Sequence, residues 1–149
     1  MPMTKLEKLY SIAEKNNIII DESCPKELIS ISFRFPNNKM LIGMSDLSCA
    51  PEGTTRLECF SHELGHCMTG SFYNLYSPYD LRSKHEYKAN KWAIKKVLPF
   101  RALLGAAKSG CRERYEFAEY FDVSETFIQK AIDYHASQGN FLSCVDCES

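Results

Sequence analysis

The sequence predicts an α+β domain, in which an N-terminal helix and a small antiparallel sheet are followed by helices. Apolar residues recur at helical spacing between residues 4 and 15, which predicts an amphipathic opening helix. From residue 28 to residue 35 apolar residues alternate with serines and an arginine, and a second apolar run covers 40–44 after a Pro-Asn-Asn-Lys turn. Such alternation is typical of half-buried strands, so these two runs predict a hairpin.

Helical patterns occupy the rest of the chain. Residues 55–58 have the form of a capping box and Gly70 is a natural stop, so we expect one helix between them. An aromatic-rich loop, 71–80, separates it from a second helix that we expect to begin near Ser83 and to end before Pro99. Three shorter helices are predicted over residues 101–108, 113–120 and 125–136.

Length and charge bound the class of protein. We expect one domain over 1–149, with a C-terminal helical part over about 110–136 and a flexible tail over about 139–149. The net charge is −1, so no basic field attracts nucleic acid or anionic lipid. No apolar run approaches the ~18 residues of a membrane span, and the N-terminal segment lacks an uninterrupted apolar stretch. We therefore expect a cytoplasmic protein.

The cysteines indicate reduced thiols. There are seven of them, an odd number at irregular spacings, which argues against a disulfide framework in a chain without a secretion signal. Cys144 and Cys147 form a CxxC near the C-terminal end. No second CxxC exists to complete a zinc site with it, so we expect this pair to belong to the tail.

The main chemical signal is the HELGH segment at residues 62–66, an HExxH pattern inside a predicted helix. His62 and His66 are four residues apart and project about 40° from each other around the helix, so both imidazoles can reach one ion. Glu63 flanks the same face, where it can act on a water molecule at the metal. The simpler alternative is a pair of histidines on a half-buried helix. The pattern favours a zinc site with Glu63 as the catalytic residue.

Catalytic zinc usually takes three protein ligands and leaves a fourth position for water. Glu86, on the next predicted helix, is the expected third ligand, and Asn90 lies one turn later, where its amide can hydrogen-bond a ligand. Ala93 and Val97 share the helix face of Glu86 and Asn90. The opposite face carries a stripe of lysines, namely Lys84, Lys88, Lys91 and Lys95.

The sequence leaves other ligand sets open. Ser83 and Glu86 have the spacing of a capping box, which would engage the Glu86 carboxylate at the helix start. His85 is a rival third ligand, although it lies about 100° from Glu86 around the helix. A thiolate from Cys59 or Cys67 would make the zinc site structural instead of catalytic.

The chemistry expected of such a centre is peptide hydrolysis. Zinc lowers the pKa of water and polarises a carbonyl, while Glu63 accepts the water proton and passes it to the leaving amine. The oxyanion that forms needs a further hydrogen-bond donor. Tyr73, Tyr76 and Tyr79, in the loop between the two ligand helices, are the candidates, and aromatic anchoring of the loop is the alternative role for each.

Three segments of the chain resemble the ImmA/IrrE family of metallopeptidases. They are FSHELGH at 60–66, EYKAN at 86–90, and the run from Trp92-Ala93 to Leu98-Pro99. The family shows HELGH, then E-x-E-A-N/D, then F-A followed by L-M-P. The stretch 117–128 also resembles its C-terminal helical part. This chain departs from the pattern at three positions. Lys88 replaces the second acid of E-x-E-A-N, Trp92 replaces the phenylalanine, and Leu98 replaces the methionine before the proline.

The resemblance implies a helical, zincin-like core around the HExxH helix, with one zinc ion held by His62, His66 and Glu86 and with Glu63 as the catalytic glutamate. It also implies a cytoplasmic bacterial endopeptidase, often encoded by a phage or mobile element, that cuts a helix-turn-helix repressor. The alternative function is a metal-bearing regulator that binds its partner without cleaving it.

A third possibility is DNA binding through the segment 117–132, which has the outline of a helix-turn-helix. A recognition helix needs side chains that contact bases and phosphates. The second helix here offers mainly Glu125, Thr126, Gln129 and Lys130, beside Asp133. We therefore expect this segment to pack or to dock a protein, with no direct contact to nucleic acid.

Overall fold

The computed structural model describes residues 2–74 and 76–142, which form an α+β fold, as the sequence predicts. The strands of its sheet are β1 (Ile19–Asp21), β2 (Ser30–Arg34) and β3 (Met40–Met44), and a short 3-10 helix covers Lys26–Leu28. The α-helices are α1 (Lys5–Lys15), α2 (Arg56–Thr69), α3 (Tyr79–Val97), α4 (Phe100–Lys108), α5 (Arg114–Phe121) and α6 (Glu125–Ser137). No helix among the described residues is long and apolar enough to cross a membrane.

The sheet is mixed, with strand order β1-β3-β2. The predicted hairpin is present, because β2 and β3 pair antiparallel with Ser32 opposite Ile42. The expectation of a purely antiparallel sheet is wrong, because β1 pairs parallel to β3, with Ile20 opposite Ile42. After β1 the chain runs back along β2, so β3 returns in the direction of β1 and takes the central place between them. This central strand is the most buried, and Ile42 and Met44 are fully inaccessible.

The alternating pattern of β2 has an unexpected orientation. A half-buried strand normally turns its apolar residues inward, yet here Ile31 and Phe33 are the more exposed side chains, at 37% and 47%. Ser30 and Ser32 instead share the face of Met44 and Ile42. The reason lies in α2, which presents the Glu63 carboxylate to this strand, so a hydroxyl is the compatible inward group.

Helix α2 begins and ends where the sequence predicts. The Thr55 side chain accepts a hydrogen bond from the Glu58 amide, and Gly70 closes the helix with φ of 66°. The reciprocal half of the capping box is replaced by a tertiary contact, since the Glu58 carboxylate accepts from the Ser124 amide at 2.8 Å. This bond joins the start of α2 to the start of α6.

Helix α3 begins four residues earlier than expected, at Tyr79. Pro78 precedes it, and proline suits a helix start because it lacks the amide hydrogen that would go unused there. Ser83 therefore lies within the helix, and the alternative in which Glu86 caps the helix at Ser83 is wrong. The Glu86 carboxylate is free to engage other groups.

Two small residues bring α2 and α3 into close contact. A Cβ atom built on Gly65 would lie 2.5 Å from the Ala89 carbonyl oxygen, which is closer than any side chain tolerates. Ala89 is itself fully buried. The two backbones therefore touch at this point, and residues one turn away on either helix face the same narrow space.

One apolar core joins the sheet to the helices. His135 is buried in α6, and its Nε2 lies 2.8 Å from the carbonyl oxygen of Leu98, where α3 ends. Cys144 and Cys147 lie outside the described residues. The fully buried large side chains of the core are Phe60, Ile42, Met44, Leu64, Leu98, Leu103, Ile128 and Val97.

Substitution of Gly65 by alanine tests the helix contact. We expect Gly65→Ala to destabilise the fold by about 1–3 kcal/mol, because the new methyl group forces α2 and α3 apart. Gly105 is the matched control: it is exposed on α4, and a Cβ added there would have nothing within 4 Å. Gly105→Ala should stabilise by about 0.5–1 kcal/mol. Urea unfolding followed by circular dichroism measures both, and equal effects would contradict the close contact.

Candidate metal centre

Three side chains from α2 and α3 converge on one point. His62, His66 and Glu86 each offer a ligand atom, and these atoms lie within 4.8 Å of one another. His62 Nε2 lies 3.2 Å from His66 Nε2 and 2.9 Å from Glu86 Oε2. His66 Nε2 lies 3.1 Å from Glu86 Oε1. The group is close enough to bind a metal ion.

These separations fit zinc. Ligand atoms at ~2.0–2.1 Å from a tetrahedral zinc lie about 3.3 Å from one another. The two Nε2 atoms are 3.2 Å apart, and the rings of His62 and His66 lie 2.9 and 3.1 Å from different oxygens of the Glu86 carboxylate. Two imidazoles and a carboxylate are also a donor set of catalytic zinc sites. His66 is buried, while His62 and Glu86 are partly accessible, so the centre is open on one side.

The hydrogen bonds of the two imidazoles determine which nitrogen is available to a metal. His62 Nδ1 donates to Asn90 Oδ1 at 2.8 Å, and His66 Nδ1 donates to the Ser71 carbonyl oxygen at 2.7 Å. Each neutral ring then carries a lone pair on Nε2. The two Nε2 lone pairs face each other at 3.2 Å and repel, and a cation bound by both atoms removes this repulsion. The residues therefore fit a metal ion.

Glu86 is held ionised by its neighbours. Burial acts to raise its pKa, but the hydrogen bond from Tyr73 and those with His62 and His66, whose Nε2 donates when the ring is protonated, outweigh burial and hold the pKa well below its usual range. The Tyr73 hydroxyl donates to Glu86 Oε1 at 2.6 Å. Burial, followed by this bond to a carboxylate, raises the pKa of Tyr73 to about 12, so the phenol keeps its proton. Glu86 is thus a pre-formed anionic ligand.

Glu63 lies beside the three-ligand group and does not belong to it. Its side chain is buried, and its Oε2 accepts a hydrogen bond from the Ser30 hydroxyl at 2.7 Å. A carboxylate can serve as a proton acceptor when it lies next to a metal centre, is held by a neutral donor and is not itself a metal ligand.

The rival ligands do not join the group. His85 stacks on Tyr73 with an interplanar angle of 12°, and it lies outside the cluster. Burial raises the pKa of the Cys59 thiol to about 11 and that of Cys67 to about 12. Neither thiol belongs to the group of ligand atoms that converge on the centre. The ligand set with Cys59 or Cys67 finds no support in the structure.

The three loop tyrosines differ in position. Tyr73 reaches the centre through Glu86, whereas Tyr76 and Tyr79 are 93% and 85% exposed. Of the three, Tyr73 is therefore the one in reach of a group bound at the centre.

Two clefts meet at the candidate centre and share Ser30, His62 and Glu86. One has a volume of about 430 Å³, and besides the residues of the centre its lining includes Ile31, Phe33, Phe72, Tyr73 and Arg82. The other, of about 230 Å³, lies towards α6 and is lined by Glu58, Cys59, Asn90, Phe127 and Lys130. The centre is thus approached from two sides.

Sequence reasoning missed the groups that orient these side chains. Ser71 follows the left-handed Gly70, and this turn bends its carbonyl back to His66; a glycine stop four residues after a histidine is the signal that was available. Ser30 had no such signal, because 33 residues separate it from Glu63. The bond from Tyr73 to Glu86 likewise depends on how the loop folds over α3.

Comparison with known proteins adds no relative. No family model matches the chain, and no curated protein or solved structure matches it. The resemblance to the ImmA/IrrE family therefore stays a prediction from the motifs.

Removal of the third ligand should weaken zinc binding. We expect Glu86→Gln to lower zinc affinity by at least about tenfold, because an amide oxygen carries no charge to offset the cation. Glu119→Gln, an exposed acid on α5, is the control and should bind zinc as wild type does. Competition with a chromophoric chelator measures the affinity. Equal affinity in the two variants would exclude Glu86 as a ligand.

Loss of the hydrogen-bond partner of His62 should also weaken zinc binding, as Asn90→Ala would show. The loss of the acceptor of His62 Nδ1 frees the ring to rotate and to change tautomer, which should lower zinc affinity about 10–100-fold. Asn90→Asp keeps an acceptor and should retain more affinity than Asn90→Ala, by the same chelator competition. The reverse order of the two variants would contradict this role.

Zinc affinity should fall as the pH falls. In the metal-free protein burial acts to lower the pKa of His62, but the hydrogen bond to Glu86 and the charge of Glu63 outweigh it and raise the pKa. Only the neutral imidazole binds zinc, so protons compete from a higher pH than at an ordinary histidine. In Glu86→Gln the pH at which half of the zinc affinity is lost should move to a lower value. Zinc titrations between about pH 5 and 8 would measure this midpoint. An unchanged midpoint would refute this cause.

Proposed function

We propose that this protein is a zinc-dependent endopeptidase with a zincin-like core, which acts in the cytoplasm on a regulatory protein. The observation that carries the proposal is the arrangement around the centre. Two imidazoles turn the same nitrogen to one point, a carboxylate completes the set, and a second carboxylate, Glu63, stands beside them bound to a hydroxyl. Three ligands plus a free acid are what hydrolytic zinc chemistry requires.

Each residue has a distinct role in the proposed reaction. Zinc, when bound, acts as a Lewis acid that makes water more acidic and the peptide carbonyl more electrophilic. Glu63 takes the proton from the attacking water and delivers it to the departing amine, so the carboxylate is regenerated. His62, His66 and Glu86 hold the ion, while Asn90 and the Ser71 carbonyl keep the imidazoles oriented.

The two clefts support cleavage inside a chain. A polypeptide needs room on both sides of the bond that is cut, and a site closed on one side would accept only a chain end. Here the clefts meet at His62 and Glu86, so a substrate can continue in both directions. Strand β2 borders the larger cleft and pairs with β3 on one side only among the described strands. An extended peptide can pair with such an edge.

The proposed substrate is a helix-turn-helix repressor of a phage or mobile element, and this part of the proposal rests on the resemblance in the motifs. The charges at the C-terminal helices agree with a protein partner in preference to DNA. The groove at the α5–α6 turn is lined by acidic side chains, which repel phosphate. They are Glu52, Glu119, Asp122 and Glu125.

Glu63→Gln separates catalysis from binding. We expect this variant to keep its zinc but to lose hydrolysis by about 10²–10⁴-fold, because the amide cannot accept the water proton. The substrates are a synthetic library of peptides blocked at both ends, so that only internal bonds yield products, and co-expressed helix-turn-helix repressors of phages. Mass spectrometry identifies the cut bonds.

Two outcomes would contradict the proposal. Zinc-loaded wild type that cuts neither blocked peptides nor repressors, while still binding a repressor, would favour the metal-bearing regulator that acts by binding. Hydrolysis of equal rate in wild type and Glu63→Gln would remove Glu63 from the mechanism.

A further inference from the structure

Ser30 occupies an unusual place in the fold. It is the first residue of β2, it faces inward, and it borders both clefts at the candidate centre. Its hydroxyl donates to Glu63 Oε2 at 2.7 Å. Glu63 Oε1 is the carboxylate oxygen that Ser30 does not engage, and it is the one left to accept a proton.

The backbone just before Ser30 is strained. Ile29 has φ of 63° and ψ of −68°, a left-handed conformation that a β-branched residue rarely adopts. It is held from both sides, because the Ile29 amide donates to the Lys26 carbonyl and its own carbonyl accepts from the Ser45 amide at 3.0 Å. Backbone strain that the surrounding hydrogen bonds hold in place is typical of functional sites. Here it sets the direction in which Ser30 enters the strand.

The geometry points to Ser30 as the positioning residue of the general base, which holds one carboxylate oxygen of Glu63 so that the other receives the water proton. This assignment rests on the proposed hydrolytic role of Glu63. A purely structural role is the competing explanation, since a buried carboxylate needs a donor for stability alone. The two roles differ in what the loss of the hydroxyl changes.

The test compares Ser30→Ala, Ser30→Thr and Ser30→Cys. Threonine keeps the hydroxyl, whereas cysteine keeps the volume but is a much weaker donor, so it replaces alanine if alanine impairs folding. We expect Ser30→Ala and Ser30→Cys to keep wild-type zinc affinity and KM for the best end-blocked peptide. Their kcat should fall about 10–100-fold, because the carboxylate turns away from the water. Ser30→Thr should recover most of this loss.

A second readout does not depend on peptide cleavage. Acetohydroxamic acid gives up its N–OH proton when it chelates zinc, and a base beside the metal is the acceptor. Its affinity for the zinc-loaded protein, measured by calorimetry, should fall in Ser30→Ala and in Glu63→Gln. In the double variant it should fall no further than in Glu63→Gln alone, because Ser30 acts through Glu63.

The outcomes distinguish this inference from the proposed function. Wild type that binds acetohydroxamate but hydrolyses no peptide contradicts the function, and the hydroxamate series still decides the role of Ser30. Cleavage by wild type with the same kcat in Ser30→Ala overturns the inference alone. A further loss of hydroxamate affinity on adding Ser30→Ala to Glu63→Gln also overturns it, since the hydroxyl would then act independently of the base.

Discussion

The contact between Gly65 on α2 and Ala89 on α3 is the constraint on which the candidate centre depends. Any larger residue at position 65 would collide with the Ala89 carbonyl, so the helices approach backbone to backbone. The neighbouring side chains on each helix then face one another, which puts the two imidazoles of α2 against Glu86 and Asn90 of α3.

The electrostatics of the centre follow from that proximity. An ionised Glu86 faces the rings of His62 and His66, whose Nδ1 atoms already donate hydrogen bonds elsewhere. The Nε2 lone pairs of the neutral rings and the negative charge of Glu86 therefore converge on one point. Because these groups are partly buried, such a concentration of acceptors is unfavourable without a cation. The arrangement is better understood as a binding site than as a contribution to folding stability. Apolar residues of similar size would pack there without the desolvation free energy of these polar groups.

Strand β2 also departs from the pattern of a half-buried strand, at residues that border the candidate centre. Strand β2 turns serines inward and leaves Ile31 and Phe33 half exposed beside the larger cleft, the reverse of what its alternation leads one to expect. Polar residues on an inner face weaken a core, but here Ser30 provides the donor that the buried Glu63 needs. Departures of this kind, together with the strained backbone at Ile29, are expected where function and stability compete.

The sequence by itself determined the features that are encoded within a turn or two of chain. Among these are the helix ends at Thr55 and Gly70, the shared face of His62 and His66, and the α+β class. Only the tertiary structure decided the parallel pairing of β1, the start of α3 at Pro78-Tyr79, and the partners of Glu63 and Glu86. The physical reason is range: caps and helical periodicity are local, whereas contacts between residues far apart are chosen by packing and leave no periodic mark in the sequence.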